Sequence, residues 1–145
     1  MTLAVFNKFN QFVEDLGRKV HNLNADTLKI LLTNTAPVAT NAIKSDLTEI
    51  SAGNGYSAGG AVVGSPAYSQ TSGTGKFTGN DVVFTASGGS IGPFRYAVLW
   101  NDTPTSPADP LIGWWDYGSS ITLNSGETFT VDLDQTNGIL TLVLT

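Results

Sequence analysis

Few residues of this 145-residue chain combine the types and spacing that chemistry requires. Gly55-Tyr-Ser-Ala-Gly59 matches the G-x-S-x-G pattern of a nucleophile elbow. An elbow needs a strand before it and a helix after it. Ala52-Gly-Asn precedes and Gly60 follows, so neither element is expected, and the one histidine, His21, lies upstream of Ser57 rather than after it. A glycine-rich turn is the better reading. Gly53-Asn-Gly-Tyr-Ser-Ala58 fits a dinucleotide fingerprint only superficially, since no βαβ unit surrounds it. Gly75-Lys76 lacks the first glycine of a phosphate-binding loop, because Gln70 stands there. Asp132 and Asp134 sit at calcium-loop spacing, but Asn137 and Val143 replace the Gly and Glu that loop needs. Asp109, Asp116 and Asp132 are carboxylates of the kind a glycosidase pairs, although nothing in their spacing brings two together. His21 has no second histidine or cysteine for a metal cluster and reads as a surface or helix-end residue. No cofactor or catalytic residue is expected. The chain reads as a binding or assembly protein, not an enzyme.

The sharpest candidate for a site is Trp114-Trp115-Asp116-Tyr117. Neighbours on a strand point to opposite faces, so both tryptophans cannot enter one side. One is expected in the core. The other needs a second cover, which could be another sheet, another subunit or a sugar ring; tryptophan stacking suits both sugars and protein interfaces. Tyr56 joins this aromatic set, as do Phe6, Phe9 and Phe12 from the N-terminus, as candidate interface residues.

The elements that would position these residues are mostly strands. Phe94–Trp100, Leu111–Tyr117, Thr128–Leu133 and Ile139–Thr145 are aromatic and β-branched runs separated by Gly, Pro and Asn turns, the signature of an antiparallel β-sandwich or barrel. Thr27–Thr33 alternates with Leu28, Ile30 and Leu32 on one face. Lys76–Thr78 and Val82–Ala86 are further strands. Asn137-Gly138 is a two-residue hairpin signal, and pairing outward from it sets Leu133 opposite Leu142 and Val131 opposite Leu144. Asn124–Glu127 reads as a second hairpin turn, between Ile121–Leu123 and Thr128. Asp132 and Asp134 then fall on the polar face of a strand. Phe6, Phe9, Phe12, Val13, Leu16 and Val20 recur at helical steps, which predicts a short helix over Asn7–Leu16; Gly17 ends it, or the helix runs on toward Leu23 at some cost. Ala42–Ile50 holds a helical turn with Ser45 as its N-cap and Leu47 and Ile50 turned inward. Ser51–Gly75 is rich in Gly, Ser and Thr and suits exposed or partner-ordered loops, with short strands at Ala61–Val63 and Ala67–Ser69.

Composition narrows the partners. The length suits one domain, 1–145, with a helical segment and turn over 1–26 and a β body over 27–145. Such a domain buries roughly 70% of its unfolded surface without disulfides, and there is no cysteine. The net charge is −5. Residues 1–44 hold five basic against three acidic residues, +2, whereas residues 45–145 hold two against nine, −7. An acidic β body argues against nucleic acid. No signal peptide or membrane span is expected, so the chain is expected to be soluble. Asn101-Asp-Thr103 fits a glycosylation sequon, which carries little weight without a secretion signal.

Phe6-Asn-Lys-Phe-Asn-Gln-Phe-Val-Glu-Asp-Leu16, Leu32-Thr-Asn-Thr-Ala-Pro-Val38, Gly53-Asn-Gly-Tyr56, Ser90-Ile-Gly-Pro-Phe-Arg-Tyr96, Asp109-Pro-Leu-Ile-Gly-Trp114 and Gly126-Glu-Thr-Phe-Thr-Val-Asp132 together resemble a family of small virion proteins of tailed bacteriophages. The resemblance covers most of the chain and is structural, with no reaction attached. It implies a capsid decoration (cement) protein with a jelly-roll-like antiparallel β-sandwich and a short N-terminal helix. Such a protein is made in the host bacterial cytoplasm. It sits as a homotrimer on the capsid exterior and holds neighbouring copies of the major capsid protein. A carbohydrate- or receptor-binding module of a tail or head fibre is the alternative, centred on Trp114, Trp115 and Tyr117. The helix at Phe6–Leu16 and the loop at Ser51–Gly75 are the segments expected to become ordered against capsid or neighbouring protomers.

Overall fold

A computed structural model of the chain describes residues 4–143. It is mainly β, built from antiparallel sheets with one short helix, as expected of a β-sandwich. One layer is a five-stranded sheet in the order β1-β8-β7-β2-β3. Its centre is a long hairpin of β7 (Ile91–Asn101) and β8 (Leu111–Leu123), flanked by β2 (Leu28–Thr33) and the two-residue strands β1 (Asn7–Lys8) and β3 (Ala61–Val62). Facing it are two small sheets. One has the order β10-β5-β4, from Leu140–Val143, Thr74–Thr78 and Ala67–Thr71; the other pairs β6 (Val82–Thr85) with β9 (Thr128–Val131).

The main core lies between these layers. Leu28, Ile30 and Leu32 of β2, Ala97 and Leu99 of β7, Phe77 of β5, Phe84 of β6 and Val131 of β9 all pack there. The other face of the large sheet is also apolar. Leu31, Val98, Trp100 and Leu111 form a second, smaller cluster with Phe9. This two-faced character follows from β2 and β7, whose apolar runs do not alternate with polar residues.

The Ala42–Gly60 region helps cover that second face. Its helical turn is a 3₁₀ turn at Lys44–Asp46. Ser45 does not cap it; the Asp46 carboxylate instead accepts the Ala42 and Ile43 N–H groups. Leu47 packs on the second cluster and Ile50 on the main core, both turned inward as expected. The Trp100 indole N–H donates to the Gly59 carbonyl at 3.0 Å. Gly60 has φ +83°, and a Cβ there would lie 1.8 Å from the Ile30 carbonyl oxygen, so only glycine lets this turn reach β2. The Ser51–Gly75 stretch is therefore anchored on its own sheet at this end, not left for a partner to order.

Three expectations about connectivity are corrected. The chain does not fold back at Asn137-Gly138 to pair β9 with β10; β9 pairs with β6 and β10 with β5. Asp134 accounts for this turn. It accepts the Thr136 and Asn137 N–H groups at 2.9 and 2.8 Å, closing a local turn that carries the chain from one small sheet to the other. Leu133 is buried while Leu142 is exposed, opposite to a shared ladder; Leu144 and Thr145 lie outside the described residues. The turn at Asn124–Glu127 forms, with Glu127 N–H donating to the Asn124 carbonyl, but it too joins different sheets. Ile121–Leu123 is the far end of β8 itself.

The helix is shorter and later than expected, Asn10–Gly17, because Asn7 and Lys8 pair with Trp114 and Gly113 as a strand. His21 is also corrected: it is buried. Asn101 places its amide nitrogen 3.1 Å from His21 Nδ1 and donates to Asp26 at 2.7 Å. The same Asn101 occupies the sequon, buried and fully engaged. Burial holds the His21 imidazole below its ordinary value, against the opposing pull of Asp15 and Asp26.

Two outcomes follow from this packing. A histidine kept neutral in the fold protonates first in the unfolded chain, so stability must fall as pH drops below about 6.5. His21→Gln should flatten that part of a urea-denaturation pH profile, leaving the lower, carboxylate-driven part intact. Tyr56 is the second case. Its hydroxyl donates to Glu49 at 2.7 Å and accepts from the Leu32 N–H at 3.0 Å. Tyr56→Phe leaves a buried N–H without its partner and should cost about 1–3 kcal/mol in the same assay.

Candidate functional site

The N-terminal arm decides where the aromatic residues go. β1 lies along the edge of β8, directly against Gly113. A Cβ on Gly113 would meet the Phe6 ring at 2.3 Å and the Asn7 carbonyl at 2.6 Å. Phe9 N–H donates to the Ile112 carbonyl at 3.1 Å, and Asn10 N–H to Ala39 at 2.9 Å, so the helix start is tied down without a side-chain cap. An extended arm sends Phe6 and Phe9 to opposite faces of the sheet. Phe6 meets Trp115 with ring centroids 4.8 Å apart, and Phe9 meets Trp114 at 4.5 Å. The second cover that adjacent tryptophans require is thus this chain's own N-terminus.

Ile112 sits at an irregularity where β8 carries an extra residue between the Leu99–Gly113 and Trp100–Leu111 pairs. That bulge sets the parity of the strand, placing Trp114 with Val98 and Trp115 with Ala97.

The seven aromatic candidates therefore separate. Phe9 and Trp114 belong to the second cluster. Phe12 is in the main core, its ring 5.3 Å from that of His21. Tyr56 is a buried core residue whose phenol burial pushes well above its ordinary range, so it is not an interface residue. Only Phe6, Trp115 and Tyr117 come together at a surface.

That surface is a groove of about 880 Å³. Its floor is Ala97, Trp115 and Tyr117 of the large sheet, and one wall is Phe129–Val131 of β9. The chain from Asp132 to Ile139 forms the far side, and Ala4 and Phe6 close one end. Tyr117 is 55% exposed and meets Phe129 edge-on at 5.5 Å. Sequence reasoning missed Phe129 and Ile139 as members of this site. Phe129 was recognisable as the in-facing partner of Val131, but only the pairing of β9 with β6 reveals what it faces.

The polar groups around the groove are largely committed already. Arg95 clasps Asp116 through two hydrogen bonds, 2.8 and 3.0 Å, which hold that carboxyl below its usual range. Asp81 accepts the Leu133 N–H at 2.9 Å. Asp134 caps its own turn, and those N–H groups depress its pKa as well. The three carboxylates weighed as a glycosidase pair are dispersed: Asp116 is held by Arg95, Asp132 borders the groove, and Asp109 lies on another loop, its carbonyl accepting the Lys44 N–H. Ser57 lies between the Gly53–Tyr56 bridge and strand β3, so the strand–turn–helix frame of a nucleophile elbow is not present around it. Among the described residues no three His, Asp or Glu side chains converge to hold a metal, and no helix is long and apolar enough to cross a membrane.

Phe6 is half-buried, and truncating it should uncover Trp115. Phe6→Ala is expected to lower stability by about 1–2 kcal/mol, below the range for a fully buried Phe. It should also shift the tryptophan emission to the red, whereas Val5→Ala, at a 74% exposed position, should do neither.

No protein-family model, no curated protein and no solved structure matches the chain.

Proposed function

We propose that this chain is a capsid decoration protein of a tailed bacteriophage. In this reading it binds the outer capsid surface as a homotrimer and stabilises contacts between major capsid proteins. The observation that carries the reading is the groove over Trp115 and Tyr117. It is apolar in its floor, and its Arg95, Asp81 and Asp134 are already hydrogen-bonded within the chain. Such a surface gains little from a ligand rich in hydroxyl groups and more from apolar protein side chains. Binding only to the assembled shell would stabilise that shell by mass action. The acidic β body and the exposed Val5, Val13, Val38 and Leu142 supply further contact surface.

The carbohydrate alternative is weaker on the same grounds. Phe6 and Phe9 already stack on Trp115 and Trp114, which leaves Tyr117 as its main exposed aromatic platform. The N-terminal segment is an unsuitable place to look for the capsid contact by deletion. Phe9 and Phe12 are buried in this chain's own clusters, so removing residues 1–16 would unfold it.

The test is co-sedimentation with expanded capsids that lack their own decoration protein, followed by cryo-EM. Stoichiometric binding at threefold positions is expected. A folded trimer that stays in the supernatant, and that binds host glycans through Tyr117, would overturn the proposal in favour of the receptor-binding reading.

A further inference from the structure

The groove lies beside a strand edge that nothing in the described chain completes. Ala86 N–H donates to the carbonyl of Glu127, the residue directly opposite it when the β6–β9 register is extended by one. Hydrogen-bonded and non-bonded pairs alternate along an antiparallel ladder. Phe84–Phe129 and Val82–Val131 are then the bonded pairs, and Thr128 and Thr130 turn their N–H and C=O groups away from β6. Neither amide has another partner among the described residues. Both residues are exposed, Thr130 lines the groove with Thr128 just beyond its lining, and β6 itself lines no part of it, so the free edge opens onto the groove at Thr130. On the opposite side begins β10, which pairs only with β5.

We infer that the groove accepts an extended segment of a partner protein as an added strand on the free edge of β9. This rests on the decoration reading for the identity of the partner, the major capsid protein, and defines the chemistry of the segment. Main-chain groups of Thr128 and Thr130 supply its hydrogen bonds, as in other strand-addition complexes. Alternate side chains of the segment enter the groove over Trp115, Tyr117 and Phe129, and these must be apolar. Basic ends suit it. Asp81, Asp132 and Asp134 border the groove against one lysine, Lys76, which donates to the Thr136 carbonyl beside Asp134, while the positive charge of Arg95 is answered by Asp116, so the border stays net negative. The same acidic border disfavours a second copy of the β body, which carries −7 over residues 45–145.

The probe is a set of capped heptapeptides with lysine at both ends and valine, leucine or phenylalanine alternating with threonine between them. Each is titrated into the full chain and followed by amide and indole NMR shifts. Saturable shifts at Thr128, Thr130 and the Trp115 indole are expected. The same peptides N-methylated at alternate residues should bind at least tenfold more weakly, a control that leaves the protein untouched. Thr130→Pro should have the same effect, because an outward N–H can be removed without breaking the β6 ladder. Absence of saturable shifts with every peptide overturns the inference, as does equal binding of the N-methylated set. Shifts that grow with protein concentration alone would also overturn it, by making a second copy the occupant. Capsid co-sedimentation separates the two readings. Capsid binding without peptide binding removes the strand slot and leaves decoration standing; peptide binding without capsid binding does the reverse.

Discussion

The large sheet is apolar on both faces, and the rest of the fold is arranged around covering them. An antiparallel sheet commonly leaves one face to water. Here Leu28, Ile30 and Leu32 face one way while Leu31, Val98 and Trp100 face the other. Two small sheets cover the first face. The second is covered by material with little regular structure: the 3₁₀ turn, the Gly59-Gly60 turn and Phe9. The Gly59-Gly60 turn can lie this close because a Cβ on Gly60 would meet the Ile30 carbonyl, so only glycine fits there.

Cover on the first face is incomplete at one place. The two small sheets meet it side by side but do not pair with each other, and the chain between them makes a capped turn at Asp134 instead of a hairpin. The gap exposes Tyr117 and the flank of Trp115 and leaves an edge of β9 unpaired. Unguarded strand edges invite other chains, and natural proteins normally blunt them with charge, proline or bulges. β9 has none of these along Thr128–Val131. The same geometry that prevents the sandwich from closing is what the proposed partner strand would use.

Much of the fold was legible in the residues. Alternation in Thr27–Thr33 and the aromatic runs after Phe94 correctly marked strands, and of the two helix ends weighed the structure adopts the one at Gly17. The paired tryptophans correctly implied that two covers exist. What misled was local pattern with more than one solution. Phe6, Phe9 and Phe12 have helical spacing, yet Phe6 and Phe9 belong to an extended arm, because pairing with β8 satisfies Asn7 and Lys8 better than a further helical turn would. His21 lacked any sequence partner, yet Asn101, eighty positions away, buries it. Asn137-Gly138 is a strong turn signal, but a turn says only that the chain reverses locally and not which strand it meets next.

By itself the sequence determined where most of the strands lie, though not where they end, and that the chain is acidic, cysteine-free and short of reactive groups. Those properties depend on neighbours within a few residues, through backbone sterics, side-chain alternation and charge. Tertiary structure alone decided which strands pair, which aromatic residue meets which, and that Phe6, Trp115, Tyr117 and Phe129 share a groove. Those outcomes depend on contacts between residues far apart in the chain, chosen by how two apolar sheet faces are most fully covered, and no local pattern encodes that choice.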